Sequence, residues 1–112
     1  MMIYKIFRAA EWASFETHGQ TEGSPVDVED GFLHFSTAEQ LPETAAKHFP
    51  DDEGLMLAAV DTDKLGDDLK WEPSRGGALF PHLYRKLERT EVAWRKPLPI
   101  GPSGHVFPLE LG

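Results

Sequence analysis

The chain has 112 residues, no cysteine, a formal net charge of −8 and 40% apolar residues, with seven Phe and three Trp among them. That length suits one domain of ~100–150 residues, burying roughly 65% of its unfolded surface in an ordinary core. Without cysteine there are no disulfides, thiolate metal sites or cysteine nucleophiles, and the acidic balance argues against general nucleic-acid binding, which depends on neutralising phosphates.

The opening "MMIYKIFRAAEW" lacks the apolar core of a signal peptide, and the longest apolar run, "LMLAAV", is far short of the ~20 residues needed to span a bilayer. The expectation is a cytoplasmic protein with no membrane partner. Charge is unevenly spread. From Lys70 to Lys96 seven basic residues face three glutamates, a local balance of +4 against −12 elsewhere. Such asymmetry fits either a local anion site on an acidic body or a set of solvated surface positions.

"MIYKIF" alternates and is β-rich, so it predicts a first strand. "RAAEWASFETHG" sets Ala9, Trp12, Phe15 and Glu16 at helical spacing, with Gly19 as the stop and His18 suited to the helix dipole. "QTEGSPVDVEDG" reads as an acidic surface loop. "FLHFS" is a short strand, after which Ser36 and Glu39 form a capping box. Pro42 then restricts the regular helix to about residues 42–48.

"GLMLAAVD" is an apolar strand central in a sheet. "TDKLGDD" is a turn, "LKWEP" a short strand, "SRGGALFPH" a loop and "RTEVAWR" the last clear strand. From about residue 97 the Pro/Gly-rich tail reads as irregular. The pattern predicts an α+β domain over residues 1–112, a small mixed or antiparallel sheet with two main helices.

Two stretches carry candidate chemistry. In "GFLHFSTAEQ", His34 shares a strand face with Phe32 and Ser36, while Leu33 and Phe35 take the other face. His34 is either a packed histidine satisfied by backbone or, if the strand end opens into a cleft, a donor or general base near neutral pH. Ser36 and Thr37 lie where strand meets helix, a place suited to phosphate or ribose, with plain capping as the alternative. In "WEPSRGGALFPHLYR", glycines permit close backbone approach and Arg75 offers a fork for phosphate or carboxylate. His82 adds a titratable group there, while Tyr84 and Trp71 add stacking surfaces. The histidines at 18, 34, 48, 82 and 105 show neither HxxxH nor HExxH spacing, so no metal site is expected. No GxSxG surrounds a serine.

The motifs "IYKI", "EW", "GFLHFSTAEQ", "ETAAKHF", "LAAVD" and "LKWEPSRGGALFPHLYRKL" closely resemble the bacterial domain-of-unknown-function family 952, over roughly residues 2–97. That family brings no established activity with it. A more distant resemblance is to the ADP-ribosyltransferase-like superfamily, whose "LYHG"-type first strand and "GIYFS"-type later strand line an NAD pocket. "IYKI" and "GFLHFST" stand in those places. Lys5 occupies the position of the first motif's histidine, and a protonated lysine cannot accept a hydrogen bond from a ribose hydroxyl. His34 falls at the aromatic position of the second motif and Ser36 close to its serine. The superfamily's catalytic glutamate has no counterpart, Arg75 or His82 being the residues left to compensate.

The resemblance implies an enzyme or NAD/ribose-phosphate-binding domain, with the site between the His34 strand and the Arg75–Tyr84 loop. His34 and His82 are the candidate catalytic side chains. Ser36, Thr37, Trp71, Arg75 and Tyr84 are the candidate ligand contacts, and a phosphate-bearing small molecule such as NAD is the expected partner. Two other readings stand beside it: a non-catalytic module for a small anion or peptide, and a small hydrolase or isomerase using His34 and His82 as an acid–base pair. Convergence of His34, Arg75 and His82 in one cleft is what the enzyme readings require.

Overall fold

The computed structural model describes residues 1–108 and 111, with Arg75 described by its backbone alone. It is α+β, with antiparallel sheets throughout. One sheet is built from β1 (Met2–Phe7), β4 (Leu55–Asp61) and β8 (Val92–Leu98) in the order β1-β4-β8. A second has β3 (Leu33–His34), β6 (Ala78–Leu83) and β5 (Leu69–Ser74) in the order β3-β6-β5. Two short ladders complete the fold, β2 (Gln20–Thr21) with β7 (Leu87–Glu88) and β9 (Ile100–Gly101) with β10 (Gly104–His105). Among the described residues no helix is long and apolar enough to cross a membrane.

The apolar run of β4 follows from its central place, because side chains are buried on both faces. Ala58 and Val60 join Ile3, Phe7, Trp12, Phe15, Leu33 and Phe35 in one core. Leu57 and Ala59 join Tyr4, Ile6, Leu41, Ala45 and Leu98 in the other. Helix α1 (Ala9–His18) covers the first core, with Phe15 stacked on Phe7 at 5.4 Å and Trp12 edge-on at 5.2 Å. It ends at Gly19, whose φ of 76° is the left-handed stop the sequence predicts. Helix α3 (Leu41–His48) presses Leu41 and Ala45 into the second core.

Four expectations are corrected. The acidic loop contains helix α2 (Pro25–Asp30), because Ser24 and Asp27 make a reciprocal capping box around Pro25. The box predicted at Ser36 and Glu39 forms one residue later, between Thr37 and Gln40, at 3.0 and 3.2 Å. Ser36 is unavailable, since its backbone N–H and C=O are bonded to Tyr4. The "SRGGALFPH" loop is a tight turn at Arg75–Gly77 followed by β6. The tail extends β8 to Leu98 and then folds into the β9–β10 hairpin, where His105 Nε2 bonds the Phe49 carbonyl at 2.8 Å.

Candidate functional site

The two main sheets meet at one bridge, Tyr4 with Ser36, through a pair of 2.8 Å backbone hydrogen bonds. Beyond it the pairing stops, and a cavity of about 340 Å³ lies between β1 and the second sheet, with α2 and α3 at its sides. Its polar lining includes Lys5, Asp27, Asp30, His34, Ser36 and His82. That volume is at the small end of the ~300–1,000 Å³ range of small-molecule sites.

Asp27 organises the site. It is the third helical residue of α2, and its carboxylate turns inward and is 2% exposed. Its Oδ2 accepts from Lys5 Nζ at 2.6 Å and from the Ser24 N–H at 2.9 Å. The other oxygen, Oδ1, lies 2.5 Å from His34 Nδ1 and 3.2 Å from the His34 N–H. Two partners on each oxygen use the carboxylate's accepting capacity fully. Burial by itself pushes the carboxyl up, but the His34 bond, the Lys5 charge and bond and the Ser24 N–H outweigh it and hold Asp27 at about 2. Lys5 also donates to the His34 carbonyl at 3.1 Å. Lys5 is therefore a buried cation supporting His34 from below, both through Asp27 and directly.

His34 is half-buried, and its Nε2 faces Asp30 Oδ2 at 3.0 Å near the cavity rim. Both ring nitrogens thus face carboxylates. A doubly protonated ring donates to both, and a singly protonated ring to only one. His82 sits directly across the β3–β6 ladder from His34, with ring centroids 5.2 Å apart. Its Nδ1 is 2.7 Å from Glu72 Oε1, which also accepts from Tyr84 Oη at 2.7 Å. The His82 bond first, then that of Tyr84, lower the Glu72 carboxyl, and the same contact raises the Tyr84 phenol. Phe32 packs against His82 at 4.2 Å, His34 at 4.7 Å and Tyr84 at 5.0 Å, tying the group together.

Of the residues predicted from sequence, His34, His82 and Ser36 line this cavity together. Ser36 is buried and its Oγ is 2.9 Å from Thr44 Oγ1. Thr37 is outside the lining because its N–H and hydroxyl serve Gln40. Trp71 pairs with Pro81, one step along from the Lys70–His82 pair, so it projects from the opposite face of the ladder. Tyr84 is turned to Glu72 and Phe32 and lines a separate recess. The Arg75 side chain lies outside the described residues.

Key cations of the Lys70–Lys96 segment are spent on internal pairs, Arg85 with Asp68 and bidentate with Glu91, and Arg89 with Glu16. No cluster of three or more metal-ligating side chains occurs among the described residues. Sequence reasoning missed Asp27 and Glu72. The signal for Asp27 was Ser24-Pro25-x-Asp27 followed by Gly31, a capping box with its stop.

Comparison with known proteins bears on the whole of this framework. The family described as Protein of unknown function (DUF952) matches residues 6–95. The crystal structure of protein CC0527 from Caulobacter crescentus is 50% identical, with 94% of this chain and 92% of that one covered and a TM-score of 0.89. The solution NMR structure of CC0527 is 51% identical, with 93% and 90% covered and a TM-score of 0.83. No curated protein matches the chain.

Proposed function

We propose a function from the premise that this chain belongs to the family described as Protein of unknown function (DUF952), so that its activity is to be read from its own site. The cavity binds the ribosyl portion of an NAD-type or ribose-phosphate ligand, and His34 is the acid–base group that acts on it. The observation that carries this reading is Asp27, an ionised carboxylate 2% exposed that orients His34 Nδ1 and is neutralised by Lys5. Burying a charged pair is a poor way to stabilise a fold. Its evident product here is a histidine held in one orientation, with a carboxylate ready to stabilise the imidazolium.

In the proposed reaction His34 Nε2 takes the proton of a hydroxyl or water that attacks the anomeric carbon, whose bond to the leaving group breaks. Displacement of Asp30 from Nε2 precedes proton transfer. Among the described residues, the two Lys/Arg side chains lining the cavity are committed, Lys5 to Asp27 and Arg8 to Glu11 and Asp52, which favours the sugar for the interior. The Tyr4–Ser36 bridge supports the ADP-ribosyltransferase-like assignment, because it sets the two resembling strand motifs side by side.

Thermal shift and calorimetry with NAD, ADP-ribose and ribose 5-phosphate test the reading. A ligand at 100 times its Kd adds roughly 2.7 kcal/mol, a rise of about 10 °C for a chain of this size. His34→Ala should abolish turnover while leaving the fold intact. Absence of any stabilisation by NAD or ADP-ribose at millimolar concentration defeats the nucleotide assignment. A second reading, a hydrolase or isomerase using His34 and His82 as an acid–base pair, draws on their 5.2 Å ring separation. Its mark would be a bell-shaped pH–rate profile whose two limbs vanish separately in His34→Ala and His82→Phe.

A further inference from the structure

We infer that His82 is a ligand-binding residue accepting a hydrogen bond at Nε2, so that the cavity selects ligands presenting a hydroxyl or amide N–H there. This deepens the reading of the cavity as a ligand site and rests on it. His82 is 4% exposed, and its Nε2 is buried without a hydrogen-bond partner among the described residues. Buried polar side-chain atoms are nearly always partnered, so an orphan beside a cavity points to a ligand.

The chemistry of the other ring edge decides what that partner must be. Glu72 Oε1 accepts from Tyr84 Oη and lies 2.7 Å from His82 Nδ1. An ionised carboxylate only accepts, so Nδ1 carries the hydrogen and the neutral ring presents a lone pair at Nε2. Phe32, stacked on the ring at an interplanar angle of 28°, holds it in place. His82 lines the cavity, and its Nδ1 edge is turned to Glu72. Glu72 is thereby a positioning residue that fixes the tautomer. The two histidines across the ladder are then unlike: His34 is set between carboxylates, and His82 is set to accept. A ribose hydroxyl or a carboxamide N–H meets that demand, whereas a fully alkylated analogue does not.

The test reads the tautomer directly by long-range 15N–1H correlation on protein labelled at histidine, with His82 assigned by His82→Phe and independently by its response to Glu72→Gln. The probes are nicotinamide against N,N-dimethylnicotinamide, and D-ribose against its fully O-methylated form. Without ligand, His82 should show the Nδ1–H tautomer. A donor-bearing probe should move the Nε2 resonance, and its methylated partner should bind about tenfold or more weakly, as expected when a buried acceptor is left unpaired. Glu72→Gln should mix the tautomers and weaken the donor-bearing probes about tenfold. An Nε2–H tautomer in the wild type overturns the inference. So does an Nε2 signal unmoved by all four probes at millimolar concentration, or equal binding within both pairs. A donor-dependent His82 response without any stabilisation by NAD or ADP-ribose would retain this assignment while rejecting the nucleotide reading.

Discussion

Replacing Asp27 with asparagine preserves its size and one accepting oxygen but removes its charge. Lys5, 6% exposed, then loses the carboxylate at 2.6 Å and keeps its ammonium buried. Breaking a buried pair from one side costs about 3–5 kcal/mol, since the stranded charge remains desolvated. A separate route gives a compatible figure. The gap between the ordinary 3.8 and about 2, at ~1.4 kcal/mol per pH unit, is about 2.5 kcal/mol favouring the ionised form in the folded chain. The substitution costs somewhat more than this because it also strands Lys5. Asp27→Asn should therefore lose about 3 kcal/mol in urea unfolding at pH 7, a large part of the ~5–15 kcal/mol typical of folded proteins.

The same residue shapes the acid limb. Its folded pKa is depressed, so its contribution is complete above the ordinary value near 4 and is lost as pH falls towards about 2. Wild-type stability should decline across that window, and Asp27→Asn should remove about 2.5 kcal/mol of the decline. Adding Lys5→Met to Asp27→Asn should cost less than the two single changes added together, because the stranded ammonium disappears with its partner. Urea titrations at pH 7 and at steps from pH 4 to 2 measure all three. A loss under about 1 kcal/mol at pH 7, or an unaltered acid limb, would refute the assignment of Asp27 as an ionised keystone.

Leu41→Ala empties a fully buried position under α3 and should cost about 2–5 kcal/mol, seen as a fall in Tm of roughly 10 °C or more. Glu91→Gln breaks the bidentate pair with Arg85, and partial exposure keeps the expected loss near ~1 kcal/mol. The Arg85 bond is the chief cause holding the Glu91 carboxyl below its ordinary 4.5, so the difference from wild type should shrink in urea unfolding as pH falls below that value. Gly31→Ala meets open space, so its whole cost is the left-handed backbone at φ 88°; about 1–2 kcal/mol in Tm-derived stability is expected.

The strands of the first sheet were legible because their composition follows directly from burial. "MIYKIF" alternates between two cores, and "LMLAAVD" is apolar because both its faces are covered. Helix α2 was hidden for the opposite reason: Pro, Gly and four acidic residues between Glu22 and Asp30 give no apolar stripe, and only the capping chemistry marks its start. Strand β6 was hidden by Pro81, since a proline within a central strand argues against strand. The pairing of His34 with His82 joins residues 48 positions apart and is set by sheet register, which no local pattern encodes. His34, Ser36 and His82 of the cavity lining could thus be named from sequence, but Asp27 arrives on an element that composition disguises.

Lys5 is the residue whose meaning changes most. At the place where the distant resemblance has a ligand-holding histidine, a lysine first reads as the loss of a site. Its ammonium is committed to Asp27 and to the His34 carbonyl, so it is not offered to a ligand. Without that cation the Asp27 carboxyl would rise under burial, with the His34 bond and the Ser24 N–H still holding it down. The first-strand lysine therefore helps keep the carboxylate ionised, and the carboxylate fixes the histidine.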